Sequence, residues 1–100
     1  MRMAMAGLLL AAGMASAASV TGYISDSFCG ASNGNGAAES RKCTKDCLSN
    51  GATPVFVTEK DKKVYKLVGK DVKPMIDYKV TITGELKGDT FTVTDVKKAE

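Results

Sequence analysis

Cys29, Cys43 and Cys47 are the residues of this chain best equipped for chemistry, and they are all the cysteine it has. Cys43 and Cys47 stand four apart, the interval that puts two side chains on one face of a helix, while Cys29 precedes them across a Gly- and Asn-rich stretch. Such a set is open to three chemistries. The first is a structural disulfide. A bond from Cys29 to Cys43 or Cys47 closes a loop of about 15 to 19 residues, worth up to about 3 kcal/mol in the chain-entropy model. Cys47 is the favoured partner. A bond between Cys43 and Cys47 closes little loop and strains helical geometry, so one thiol is left over, buried as a small hydrophobe or free to pair between chains. The second is a soft metal ion, zinc or copper as Cu(I), held by all three thiolates with Asp26, Asp46 or water as the fourth ligand. The spacing is not that of a zinc finger. The third is thiol redox chemistry, for which the Cys-x-x-Cys interval that lowers a thiol pKa is missing. The disulfide is the first expectation, and with it no cofactor.

Other catalytic chemistries find no residues. The chain has no histidine, which removes Ser-His-Asp and Cys-His hydrolysis and most zinc hydrolase sites. Asp26 and Ser27 beside Cys29 look like an active-site cluster, but Asp and Ser next to a Gly-rich loop are commonly turn formers. Gly30, Gly34 and Gly36 precede no Gly-Lys-Ser/Thr, so no phosphate loop is present. No catalytic residue is assigned, and the expectation is a protein that is not an enzyme.

The surroundings of the cysteines follow from the rest of the chain. Residues 1–17 read as a secretory signal peptide: a cation at Arg2, an apolar run from Met3 to Met14, and small residues at Ala15-Ser16-Ala17. The run is shorter than the 20 or so apolar residues that span a bilayer, so the mature chain, residues 18–100, is expected to have no membrane span and to lie in the periplasm or outside the cell. Oxidising compartments favour disulfides. The 14 basic and 11 acidic residues give +3, and losing Arg2 with the leader lowers that by one. From Lys60 onward lysines interleave with Asp and Glu as on an ordinary solvated face, which speaks against nucleic acid as a partner.

The mature chain has the size of one small domain. Such a chain buries only about 60% of its unfolded surface, so its core is marginal and a staple is expected. Ser19–Ser25 reads as a strand bent at Gly22, where a missing side chain permits a bulge. Asp26–Gly36 is loop. A helix follows, starting at Ala37 or at an N-cap such as Ser40 or Thr44 and stopping at Asn50-Gly51, with Cys47 and Leu48 facing inward. Thr53–Glu59 and Lys63–Val68 form a hairpin about Lys60-Asp61-Lys62, with Lys66 outward and Tyr65 and Leu67 inward. Gly69–Asp77 is a short helical turn with Met75 and Ile76 as its plug. Tyr78–Leu86 and Thr90–Val96 alternate apolar and polar residues and form a second hairpin about Lys87-Gly88-Asp89. Five strands with a helical element between the third and fourth is the connectivity of a small, partly open Greek-key barrel of OB-fold type. The rival is an antiparallel meander, which would expose edges that barrel closure hides.

The chain also resembles a group of small exported bacterial domains of unknown function with an OB-like build. The resemblance rests on Thr21-Gly22-Tyr23-Ile24-Ser25-Asp26-Ser27 with Cys29-Gly30, on Cys43-Thr44 with Cys47 and Gly51-Ala52, on Val64-Tyr65-Lys66-Leu67, and on Val80-Thr81-Ile82-Thr83-Gly84. It implies fold and export and brings no activity. OB-folds often bind single strands or sugars through aromatics on their second and third strands. Phe56 and Tyr65 on those strands, with Tyr23 on the first, are accordingly the candidate ligand-binding residues, although a core this small needs its aromatics for packing. The function expected is an exported, disulfide-stapled binding module whose partner is a protein or an envelope component. The alternative is a thiolate metal or thiol redox protein.

Overall fold

The computed structural model describes residues 16–99. The expected leader lies outside them except for Ser16 and Ala17, which begin the first strand. Among the described residues the chain is mainly β, with five strands: β1 (Ser16–Asp26), β2 (Pro54–Thr58), β3 (Val64–Gly69), β4 (Val80–Lys87) and β5 (Thr90–Lys98). One helix, α1 (Ala38–Ser49), lies between β1 and β2, and short 3-10 turns occupy Gly30–Asn33 and Lys73–Met75. The strands hydrogen-bond in the order β1-β2-β3-β5-β4, and β4 returns to β1, so the sheet closes on itself in a ring. All pairings are antiparallel except β3 with β5, which is parallel.

Closure depends on the length of β1. Its first half pairs with β4 from Ser16 opposite Leu86 to Gly22 opposite Val80. Its second half pairs with β2 from Gly22 opposite Thr58 to Asp26 opposite Pro54. Gly22 is thus shared by both partners, and a Cβ there would stand 2.1 Å from the Val57 carbonyl oxygen. The register irregularity expected at Gly22 is instead between Thr83 and Gly84, where β4 faces β5. What Gly22 supplies is room for three strands to converge.

The ring is filled by Ile24, Phe56, Tyr65, Val80, Ile82, Phe91 and Val93, with Val72 and Ile76 contributed by the segment between β3 and β4. Tyr65 meets Phe91 edge to face at a centroid distance of 6.3 Å, a favoured aromatic geometry. Lys66 is exposed between buried Tyr65 and half-buried Leu67, as the alternation predicts. Of the predicted plug, Ile76 is buried and Met75 packs partly against the core, but Val72, 1% exposed, is the more deeply buried member of this segment.

Helix α1 starts after Ala37, whose N–H donates to Asn35 Oδ1 (2.9 Å). It ends at Asn50, followed by Gly51 with φ +104°. The Ala52 N–H then returns to the Cys47 carbonyl (3.0 Å). A left-handed glycine one place past the cap lets the chain turn back and satisfy the last carbonyls. Leu48 packs against the core, and Lys45 pairs with Asp77 at 2.8 Å, tying the helix to the segment that enters β4. The ion pair is half exposed, so it contributes less to docking than the apolar contact.

Candidate metal centre

Asp26, the last residue of β1, organises the site. It is completely buried, and its carboxylate is filled by donors from the loop that follows. Oδ1 accepts the N–H groups of Phe28 (3.0 Å) and Cys29 (2.8 Å), and Oδ2 accepts Asn33 Nδ2 (2.9 Å). An aspartate that accepts N–H groups two and three residues on forms a tight turn. This one reverses the chain at the end of β1 and leaves Cys29 at the head of the Gly30–Asn33 turn. Ser25, also buried, donates from Oγ to the Gly30 carbonyl (2.6 Å). Ser27 exchanges bonds with Thr53, which fixes the loop to the start of β2. The turn-forming reading of Asp26 and Ser27 therefore holds, although the depth of Asp26 goes beyond it.

The same turn delivers Cys29 to the face of α1 that carries Cys43 and Cys47. The three sulfur atoms all lie within 4.8 Å of one another. Cys29 is exposed, and Cys43 and Cys47 are half-buried. All three are free thiols, so the bridge from Cys29 to Cys47 or Cys43 is not formed. A disulfide needs two sulfurs at about 2.05 Å on a restricted dihedral, whereas here three share one place.

Burial and the charge beneath the sulfurs together hold Cys29 and Cys47 protonated. Burial pulls the Asp26 carboxyl upward, but bonds from the Asn33 amide, the Cys29 N–H, the Cys47 thiol and the Phe28 N–H outweigh it, and the group sits below its ordinary 3.8. Asp26 is therefore an anion at neutral pH. The Cys47 thiol is pushed up to about 12 by burial, by the Asp26 charge and by neighbouring Cys43. Cys29 is also raised, by burial first and then by the charges of Asp26 and Cys43. These directions oppose nucleophilic redox chemistry, which needs a lowered thiol pKa. A metal ion bound there displaces the thiol protons and offsets part of the thiolate charge.

Of the proposed fourth ligands, Asp26 has both oxygens engaged by the loop, and no described Asp or Glu joins the three sulfurs in one cluster. Asp46 is exposed on α1. Sequence reasoning overlooked Asn33, which is 8% exposed and binds Asp26. Nothing in a Gly-Ala-Ser-Asn-Gly run distinguishes it from other turn residues.

The aromatic candidates are placed elsewhere. Phe56 is fully buried in the ring and has no face to offer. Tyr65 is buried in the core, with an edge at a 530 Å³ cavity lined also by Ser19, Thr21, Glu59 and Lys60. Tyr23 is half-buried, with Gly36 against its ring. That cavity is larger than the hollow beside the cysteine loop, which is about 290 Å³ and lined by Ser27, Gly30 and Thr53, and no cysteine lines either. No described helix is long and apolar enough to cross a membrane. No family model, curated protein or solved structure matches the chain.

Proposed function

We propose that this chain is a small exported module that binds a thiophilic metal ion through Cys29, Cys43 and Cys47. The observation carrying the reading is the convergence of the third sulfur. A structural bridge needs two cysteines, and nothing in a staple requires a third from the same helix face to meet them within 4.8 Å. Thiolates select soft and borderline ions such as Cu(I) and Zn(II). The scaffold suits such binding, since a rigid helix supplies two donors and a loop pinned by a buried carboxylate supplies the third.

The finer reading of the fold is an OB-like barrel. It is supported by the strand order β1-β2-β3-β5-β4 and the parallel β3–β5 pairing, with the helical turn Lys73–Met75 between the third and fourth strands. Export rests on the leader-like residues 1–17, and periplasmic or extracellular placement follows from it. A binding role without catalysis is in keeping with the absence of histidine. The partner that gives or receives the ion is a protein or an envelope component; nucleic acid does not suit the evenly mixed charge.

The competing reading is the disulfide staple, favoured by the proximity of the sulfurs, which side-chain rotation could bring into bonding distance. One experiment separates them. One portion of the protein isolated without reductant is alkylated and weighed, and a second, unalkylated portion is reduced and its thiols titrated with cadmium ion. Three alkylated thiols and a thiolate-to-cadmium absorption band saturating at one ion per chain support the metal site. One reactive thiol in the isolated protein, with no such band after reduction, supports the staple.

A further inference from the structure

We infer that the site takes its ion in three-coordination, with sulfur alone, and so favours a cuprous ion over zinc. The inference rests on the metal-binding reading above and specifies its ligand. Among the described residues the three sulfurs are the donor set: no carboxylate belongs to the cluster, and the chain has no histidine. The nearest acid cannot be recruited cheaply. Asp26 is completely buried, spends Oδ1 on Phe28 and Cys29 and Oδ2 on Asn33, and touches the ligand set only by accepting the Cys47 thiol. Turning either oxygen towards an ion would break the turn that brings Cys29 to the site. Zinc in protein sites completes a tetrahedron, with a fourth protein ligand in structural sites and otherwise with water, so at three sulfurs it would keep an oxygen neighbour that a three-coordinate ion lacks. A monovalent soft ion is satisfied by three thiolates in a plane, and thiolate ligands select it. Sulfurs within 4.8 Å of one another are close enough for one ion to touch all three. The ion enters and leaves as Cu(I), so no electron is transferred, and each coordinating thiol yields its proton to solvent.

The test uses the full mature chain, reduced and without oxygen. Cuprous ion is titrated against a coloured cuprous chelator, zinc against a zinc indicator, and the copper-loaded protein is measured by X-ray absorption. The expected result is one cuprous ion per chain, bound at least about a hundredfold more tightly than zinc, with three sulfur neighbours and no oxygen or nitrogen. Asp46→Asn is expected to leave affinity and coordination unchanged. Zinc binding as tight as copper, or an oxygen neighbour that disappears in Asp26→Asn or Asp46→Asn, overturns the inference while leaving the metal-binding reading intact. If Asp26→Asn does not fold, the wild-type spectrum still decides. If neither ion binds stoichiometrically, or the triple variant Cys29→Ser, Cys43→Ser, Cys47→Ser binds as well as wild type, the metal-binding reading itself fails.

Discussion

Asp26 is a buried carboxylate that remains ionised because its protein donors replace water. Removing a partner from such a group costs more than the bond itself contributes, because what remains is desolvated and unpaired. Asp26→Asn keeps the shape but places an amide N–H₂ where a second acceptor stood, facing Asn33 Nδ2 or the backbone N–H groups of Phe28 and Cys29. We expect it to lower stability by about 2 kcal/mol or more at neutral pH. The pH dependence follows from the direction of the shift. The folded pKa lies below the ordinary 3.8, so the contribution is present above 3.8 and lost as pH falls through the folded value. Urea melts of wild type and variant should therefore converge in acid. Equal separation at all pH values would show that the charge is not involved. Cys47 gives the opposite limb. Its folded value near 12 lies above the ordinary 9.0, so its contribution is complete below pH 9 and lost as pH rises through 12. Cys47→Ser should then lose less stability than wild type on going alkaline. Thr44, beside Cys43, illustrates a different cost: its hydroxyl is fully buried and makes no hydrogen bond. Thr44→Val preserves the branched shape and removes the unpaired group, so a gain of about 1 kcal/mol is expected in the same melts. A loss of that size would reveal a partner for the hydroxyl.

Elements of this chain differ in how far their sequence specifies them. The helix stop at Asn50-Gly51, the two hairpin turns and the alternation around Lys66 are local signals, readable because each depends on residues within a few positions. The 11-residue length of β1 is not readable in the same way. Its first residues, Ser16 to Ala18, carry no strand pattern of their own and become strand by pairing with Leu86, Glu85 and Gly84. Val72 sits in Gly-Lys-Asp-Val-Lys-Pro, where no period marks it, yet it is almost completely buried because the segment folds back over the ring. The parallel pairing of β3 with β5 is a long-range contact that no window of sequence contains. The site is legible in part: the Cys43–Cys47 face follows from helical spacing, but the approach of Cys29 depends on a carboxylate whose burial only the folded loop creates. The glycines test the same distinction. At Gly22 a Cβ would meet the Val57 carbonyl at 2.1 Å, whereas at Gly51 it would meet nothing within 4 Å and only the left-handed backbone objects. Gly51→Ala should cost about 1 kcal/mol. Gly22→Ala should cost more, about 3 kcal/mol, because backbone must move where β1 passes from β4 to β2. Similar losses in thermal melts would mean that β1 yields at its junction more easily than the register suggests.

For the molecule as a whole, the question is whether the sulfurs hold the fold together or the fold holds the sulfurs. Among the described residues, the apolar core of Ile24, Phe56, Tyr65, Val72, Ile76, Val80, Ile82, Phe91 and Val93 contains no cysteine, and the ring gives each strand a partner on either side. A closed sheet with its own core depends on a covalent staple less than an open sheet of the same size does. The triple serine variant is therefore expected to fold with an unchanged far-ultraviolet spectrum and a modestly lower melting temperature. Ion binding adds stability by mass action, because the three donors converge only in the folded chain: about 2.7 kcal/mol when free ion is a hundred times the dissociation constant. Wild type reduced and loaded with cadmium should thus melt higher than its empty form, a chelator should reverse the rise, and the triple variant should show none. A triple variant that fails to fold in every buffer would assign the sulfurs a structural duty that this core does not predict. A rise that persists in it would move the ion to another site on the chain.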